Sequence, residues 1–211
     1  MPPEPAQKRA IAFFDGQNLF HAAQEAFGHR FPSYDVRALA LTVCQTQGWI
    51  SSGIRFYTGV PDDKDDTFWH HFWTAKLAQM GREGVVSFSR SLRYRNQTIR
   101  LPGGIEHTFL VGQEKGIDIR IALDVVRLAH ESTYDVAILF SQDQDLSEVA
   151  DEVRRISREQ RRWIKIASAF PSSPTSRNLR GINKTDWVHI DRSTYDACID
   201  GRDYRPKKPK T

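Results

Sequence analysis

The sequence contains few cysteines and no long apolar segment, and both absences restrict the class of protein. Only 2 of the 211 residues are cysteine, which is too few for a disulfide framework or a cysteine-based zinc site. Residues 1–9 lack the apolar core of a secretory signal, and no apolar run elsewhere is long enough to cross a bilayer. We therefore expect a cytoplasmic protein with no membrane partner.

Several common catalytic patterns are also absent from the sequence. It contains neither a phosphate-binding GxxxxGK[ST] loop nor a GxSxG nucleophile elbow. The neighbouring His70 and His71 lack the spacing that places two zinc ligands on one face of a helix. The net charge of +4 permits a nucleic-acid partner without requiring one.

Short apolar runs alternate with amphipathic segments along most of the chain. Strands are predicted at 10–14, 53–60, 85–88, 136–140, 163–170 and 187–190. Helices are predicted at 19–27, 36–43, 65–81, 116–130 and 146–156, with a short one near Tyr195 and a loop or short helix at 171–184. This alternation predicts an α/β fold, a three-layer sandwich with a mainly parallel sheet.

The length and the distribution of polar residues indicate one domain. We expect a flexible N-terminal lead at 1–9, a single domain at 10–200 and a basic C-terminal tail at 201–211. The stretch 90–115 is polar and contains turn residues flanked by short alternating segments. That pattern predicts a β-hairpin that leaves the main sheet.

Acidic residues follow strands or begin helices at three places. Asp15 follows the first strand, Asp118 lies in the first turn of a helix, and Asp143 and Asp145 follow the strand at 136–140. If these two strands are neighbours at the switch point of the sheet, the four carboxylates meet in one crevice. Carboxylates that lie close together need a counter-charge, and a hard divalent cation such as Mg²⁺ is the natural one.

Each acid also has a purely structural interpretation. Asp118 and Asp143 taken singly are more often helix caps, and Asp15 followed by glycine is an ordinary turn. The repetition of the pattern at three sites favours a functional cluster. Asp124 is not included, because Arg120 and Arg127 at i−4 and i+3 predict a surface ion pair.

Three segments of the chain together resemble the motifs of the NYN domain family, a branch of the PIN-like nucleases that includes the LabA-like proteins. The segments are Phe14-Asp15-Gly16-Gln17-Asn18, Lys115-Gly116-Ile117-Asp118 and Ser141-Gln142-Asp143-Gln144-Asp145-Leu146. The resemblance runs from about Ala10 to Ile190. It implies a PIN-like, Rossmann-like topology and a metal-dependent endoribonuclease that acts on single-stranded or structured RNA.

The resemblance also implies roles for individual residues. The metal-binding and catalytic acids would be Asp15, Asp118, Asp143 and Asp145, with Mg²⁺ or Mn²⁺ as the cofactor. Asn18 would hold an acid or the substrate phosphate, and Ser141 would shape the turn. The family commonly has glycine where this chain has Gln142, and phenylalanine where it has Leu146. We therefore hypothesise that Gln142 alters the turn or partly covers the crevice.

Basic residues near the acids are candidates for substrate contacts. Lys115 lies in the same segment as Asp118, next to the proposed site, and Arg93 and Arg95 lie in the predicted hairpin with Tyr94 between them, which could stack on a base. A solvated hairpin whose arginines serve only solubility explains the same pattern equally well.

Two other functions remain open on the sequence alone. One is an RNA-binding regulatory module that keeps the fold but cleaves poorly, and the other is a structure-specific DNase. A homodimer is a further hypothesis, because Trp69 and Trp73 would suit an interface if they are exposed, although a core position is also consistent with their spacing.

Overall fold

The computed structural model describes residues 2–206 of the chain. Its strands are β1 (Arg9–Asp15), β2 (Ile50–Val60), β3 (Val86–Ser91), β4 (Arg93–Arg100), β5 (Glu106–Gln113), β6 (Val136–Phe140), β7 (Lys165–Pro171) and β8 (Asp186–Ile190). Its helices are α1 (Gly16–Phe27), α2 (Val36–Thr46), α3 (Thr67–Arg82), α4 (Ile117–His130), α5 (Ser147–Glu159) and α6 (Arg192–Asp196).

Six strands form one parallel sheet in the order β3-β2-β1-β6-β7-β8. From β1 the chain moves outward through β2 to β3, and from β6 it moves outward in the other direction through β7 to β8. The direction changes between β1 and β6, which pair directly from Ala10↔Val136 to Phe14↔Phe140. This position is the topological switch point of the sheet.

Helices cover both faces of the sheet, because the side chains of the central strands alternate between two apolar clusters. Ala10, Ala12 and Phe14 of β1 pack with α1, α2 and α3 on one face. Ile11 and Phe13 of the same strand pack with α4 and α5 on the other. The predicted three-layer α/β architecture is confirmed.

Most predicted elements are present, with small differences at their ends. The helix predicted from residue 146 begins instead at Ser147, after a single 3-10 turn over Gln144–Leu146. Residues 172–185 form an irregular loop between β7 and β8. The strands β4 and β5 pair only with each other, as an antiparallel hairpin outside the main sheet.

The prediction that Asp124 forms an ion pair on the surface is wrong about its exposure. Asp124 does pair with Arg120 at 3.2 Å and with Arg127 at 3.5 Å, but it is buried rather than on the surface. Its other partners are the Tyr57 hydroxyl, which donates to Oδ2 at 2.8 Å, and Arg55, whose Nη1 lies 3.5 Å from the same oxygen. Burial alone would raise the pKa of Asp124, but the hydrogen bonds from Tyr57 and Arg120 and the arginine charges hold it below its usual value.

The tryptophans proposed for a dimer interface are not exposed. Trp73 is buried against Phe56, with ring centroids 5.8 Å apart, and Trp69 is half-buried beside Phe31 and Phe72. Both tryptophans lie on α3 and pack in or against the hydrophobic core, so the homodimer remains a prediction without this support.

The chain ends bear on two further expectations. Arg9 is already the first residue of β1, and its side chain binds Asp135 at the start of β6. Of the predicted basic tail, residues 207–211 lie outside the described residues. Among residues 2–206, no helix combines the length and the apolar character needed to span a bilayer.

Gly16 allows α1 to start directly beside β2. A Cβ at this position would lie 2.6 Å from the Phe56 ring and 3.0 Å from the Tyr57 carbonyl oxygen. We expect Gly16→Ala to destabilise the protein by about 1–3 kcal/mol, because the added methyl group overpacks this contact. Urea unfolding monitored by tryptophan fluorescence measures the change.

Gly81→Ala is the matched control for that substitution. Gly81 lies near the end of α3, and a Cβ there would meet no atom within 4 Å. Alanine in an open helical position should stabilise by about 0.5–1 kcal/mol. Equal effects of the two substitutions would contradict the proposed close approach at Gly16.

Candidate active site

The carboxyl ends of β1 and β6 bring two of the predicted motifs together. Asp15 ends β1, and the turn at Ser141–Asp143 follows β6, so the pairing of the strands places the two segments side by side. Ser141 Oγ donates to Asp15 Oδ2 at 3.3 Å, and the Gln142 N–H donates to Asn18 Oδ1 at 2.9 Å. The first and third motifs are therefore joined by direct hydrogen bonds.

Asp15 is the most buried acid of the group, with 6% of its surface exposed. Its carboxylate accepts the Asn18 N–H at 3.1 Å, so it also caps α1. Burial raises the pKa of Asp15 to about 6, the hydrogen bonds from Asn18 and Ser141 oppose this shift, and the charges of Asp143 and Asp118 add to it. Asp15 is thus held in one orientation and is poorly solvated when ionised.

The other three predicted acids differ in their placement. Asp118 and Asp143 are half-buried and line the same cleft as Asp15. Within the described part of the chain, the Asp118 carboxylate accepts no hydrogen bond and does not cap α4, so it is available for a ligand. Asp145 is exposed and does not line the cleft; its N–H donates to Asp143 Oδ1 at 3.0 Å.

Glu114 is a further acid of this cleft and was not identified from the sequence. It lines the cleft between Asp15 and the helix of Asp118, and its carboxylate accepts the Gly59 N–H. Burial raises the pKa of Glu114 to about 7, and the charges of Asp15 and Asp118 add to the shift. A signal was present, since Glu114 follows a strand as Asp15 does, but that strand is β5 of the hairpin and not part of the main sheet.

We call this site the acidic cleft: an open cavity of about 580 Å³ at the switch point that is lined by both acidic and basic side chains. Arg90, Arg93 and Lys115 line it together with the carboxylates. Arg95 is exposed on the same strand as Arg93 but does not reach the cleft. Carboxylates beside basic side chains suit a ligand that carries both a cation and a phosphate.

The turn after β6 that carries Asp143 is held by hydrogen bonds to the loop that follows β7. Gln142 Nε2 donates to the carbonyl oxygens of Asn178 and Arg180 at 3.2 and 2.9 Å. Gln144 Nε2 donates to the Gly181 carbonyl at 3.0 Å. Gln142 therefore points away from the acidic cleft and does not line it, so the hypothesis that it covers the crevice is wrong.

A divalent cation fits the donor set, but only as a partly hydrated ion. Among residues 2–206, no three His, Cys, Asp or Glu side chains come close enough together to hold a metal ion by themselves. Mg²⁺ commonly keeps several waters and is held by one or two carboxylates plus substrate phosphate. The poorly solvated Asp15, with Asp118 and Asp143 close enough to raise its pKa, matches that mode of binding.

The parallel sheet and the acids at its switch point define a nuclease-like, PIN-like α/β domain. The chain belongs to the NYN domain family, whose pattern matches residues 9–181. Proteins of this family are typically nucleases and usually depend on divalent metal. The membership confirms the resemblance seen in the three motifs.

A solved structure supports the fold alone. The chain is similar to the crystal structure of a protein of unknown function, VPA0982, from Vibrio parahaemolyticus RIMD 2210633, with a TM-score of 0.50 and 18% sequence identity. The similarity covers 90% of this chain and 97% of the other. No curated protein matches the sequence.

The raised pKa of Asp15 predicts how stability depends on pH in metal-free buffer. The carboxyl group is protonated below about pH 6 in the folded protein but only below 3.8 in the unfolded chain. The raised pKa therefore adds to the free energy of unfolding at low pH, and this contribution is lost as the pH rises through 6. Between pH 3.8 and about 6 the free energy of unfolding falls by about 1.4 kcal/mol per pH unit. Urea unfolding in EDTA at several pH values measures the slope.

Asp15→Asn is the control for this dependence. The amide keeps the hydrogen bonds to Asn18 and Ser141 but carries no charge, so the variant should be more stable than the wild type near neutral pH and similar to it near pH 4. Glu114 still titrates in both proteins, so only the difference between them reports Asp15. An unchanged slope in the variant would exclude Asp15 as its source.

Proposed function

We propose that this protein is a divalent-metal-dependent endoribonuclease. The observation that carries the proposal is the convergence of four acids from three segments, Asp15, Glu114 with Asp118, and Asp143, on one cleft that also presents Arg90, Arg93 and Lys115. RNA is the proposed substrate because NYN proteins are typically nucleases and the resemblance implies ribonuclease activity. A cytosolic location is proposed with it, since Cys44 and Cys198 are both free thiols.

The chain's own groups divide the work of phosphodiester hydrolysis. Asp15, together with Asp118 or Asp143 and with bound waters, would hold Mg²⁺ or Mn²⁺, and Ser141 and the Asn18 N–H orient Asp15 for this. A bound cation of this kind lowers the pKa of a coordinated water and offsets charge that develops on the phosphate. In the reaction the water oxygen forms a bond to phosphorus, the bond to the leaving oxygen breaks, and a proton is transferred to that oxygen.

The basic side chains position the substrate. Arg93 and Lys115 line the cleft together with the acids, where they can bind the non-bridging phosphate oxygens. Asn18 Oδ1 already accepts the Gln142 N–H, so Asn18 supports the turn rather than contacting the substrate through that oxygen.

An RNA-binding module that cleaves poorly is the second candidate. It is favoured by one observation, that no three potential ligands gather at metal-binding distance within residues 2–206. A structure-specific DNase is a weaker alternative. Tight RNA binding without metal-dependent cleavage would favour the module, and preferential cleavage of a DNA oligonucleotide of matched sequence would favour the DNase.

Cleavage of a labelled mixed-sequence RNA with Mn²⁺, Mg²⁺ or EDTA tests the proposal. We expect cleavage only with metal, and a loss of about 100-fold or more in Asp143→Asn, because a carboxylate that would hold the metal is removed. Asparagine can still cap the turn after β6, so the fold should persist.

Glu148→Gln is the matched control for Asp143→Asn. Glu148 is an exposed acid in the first turn of α5, outside the cleft, so its substitution should leave the cleavage rate unchanged. Full activity of folded Asp143→Asn would exclude the proposed site.

The placement of Glu114 and Asp145 makes a second, sharper prediction. Glu114→Gln should lower the cleavage rate more than Asp145→Asn, because Glu114 lines the cleft and Asp145 does not. Single-turnover cleavage under identical metal concentrations compares the two. The reverse order would mean that the turn after β6 rearranges to bring Asp145 into the site.

A further inference from the structure

A second cavity lies directly beside the acidic cleft. It has a volume of about 350 Å³ and is enclosed by α1, the start of α3, the end of β2 and the base of the hairpin. We call it the aromatic pocket; its aromatic lining residues are Phe20, His21, Trp69, Trp73 and Tyr94. Neither the acids nor the metal proposed above accounts for it.

The two cavities are separated by a wall only one residue thick. On the strand that enters the hairpin, Leu92 and Tyr94 line the aromatic pocket and Arg93 between them lines the acidic cleft, because side chains alternate along a strand. Gly59 lies in the same wall, where a Cβ would be 2.4 Å from Leu92 and 2.5 Å from Glu114. The two cavities therefore adjoin along this segment.

The surfaces of the pocket suit a flat aromatic ligand. Tyr94 is half-buried and packs over Gly112, its partner on β5, while Trp69 is half-buried on the opposite side at α3. Gln17 supplies a polar edge, and within residues 2–206 its side-chain amide makes no hydrogen bond. Stacking surfaces with a free amide at the edge are the features that bind a nucleobase.

The charges around the pocket indicate that a base enters it, rather than a phosphate. Burial raises the pKa of the Tyr94 hydroxyl, and the nearby carboxylates of Asp65, Asp66 and Asp62 raise it further. These acids repel a phosphate on the pocket side of the wall. Arg93 lies on the other side, so the backbone of a bound strand is drawn to the cleft and the uncharged base to the pocket.

We propose that the aromatic pocket binds one unpaired base of the RNA strand whose phosphodiester lies in the acidic cleft. A base inside a duplex is stacked and paired and cannot enter, so the substrate is single-stranded at this position. The inference rests on the proposed function for the identity of the strand, but binding to the pocket does not depend on cleavage.

The test is RNA affinity without catalysis. Fluorescence anisotropy in EDTA and low salt, with a labelled single-stranded RNA of about 12 nucleotides, compares the wild type with Tyr94→Ala and Tyr94→Phe. We expect Tyr94→Ala to weaken binding by about 5-fold or more, since one stacking surface is lost. Tyr94→Phe keeps the ring and should bind within about 2-fold of the wild type.

Two controls separate stacking from general effects. Ile99→Ala removes an exposed apolar side chain from the same strand, far from the pocket, and should bind RNA like the wild type. A duplex of the same sequence should bind the wild type and Tyr94→Ala equally. Loss of affinity in Tyr94→Ala for single strands alone is the result that supports the proposal.

Three results would overturn it: wild-type protein that binds no single-stranded RNA, equal affinity of Tyr94→Ala and wild type, or an equal loss for single strand and duplex. Equal RNA affinity of Tyr94→Ala and wild type is the result expected if the pocket instead binds an aromatic side chain of a protein partner. The cleavage assay with Mn²⁺ is read separately. Binding that depends on Tyr94 in a protein that never cleaves contradicts only the nuclease proposal, and cleavage with Tyr94-independent binding contradicts only the base pocket.

Discussion

The parallel pairing of β1 with β6 is the constraint on which the site depends. It places the buried carboxylate of Asp15 beside the turn that carries Ser141 and Asp143, and Ser141 Oγ donates directly to Asp15. An acid in so apolar a position is costly to ionise, which is why the pKa of Asp15 rises to about 6. The fold accepts this cost at the place where the proposed cation and phosphate would offset it.

A second layer of contacts keeps the turn after β6 in place. Ser168 Oγ on β7 donates to the Ser141 carbonyl at 2.7 Å and accepts the Ile182 N–H at 3.2 Å. Gln142 and Gln144 bind backbone carbonyls of the same loop, so the residue that differs from the family pattern has a supporting role. The acids are thus oriented by the neighbouring strand and its loop, as groups that must be held before a substrate arrives.

The hairpin of β4 and β5 supplies what the main sheet lacks. It contributes Arg93 to the acidic cleft and Tyr94 to the aromatic pocket, and the residue that follows it, Glu114, packs against Gly59 of β2. The hairpin and the residue that follows it therefore provide a basic, an aromatic and an acidic side chain around one wall. The parallel sheet provides the buried carboxylate of Asp15, and the hairpin adds side chains to both cavities.

The elements and the motif acids could be predicted from the sequence, because the spacing of apolar residues reports which face of each segment is buried. The sequence placed Asp15 and Asp143 at strand ends and Asp118 in the first turn of its helix, as the structure has them. Which of these side chains line one cleft depends on the tertiary fold. Asp145, two residues from Asp143, lies outside the cleft, while Glu114 lies inside it.

The burial of Asp124 and the pocket around Tyr94 could not be predicted from the sequence either. Local periodicity carries no information about contacts between segments distant in the chain, and these contacts depend on strand order and on the direction in which the hairpin leaves the sheet.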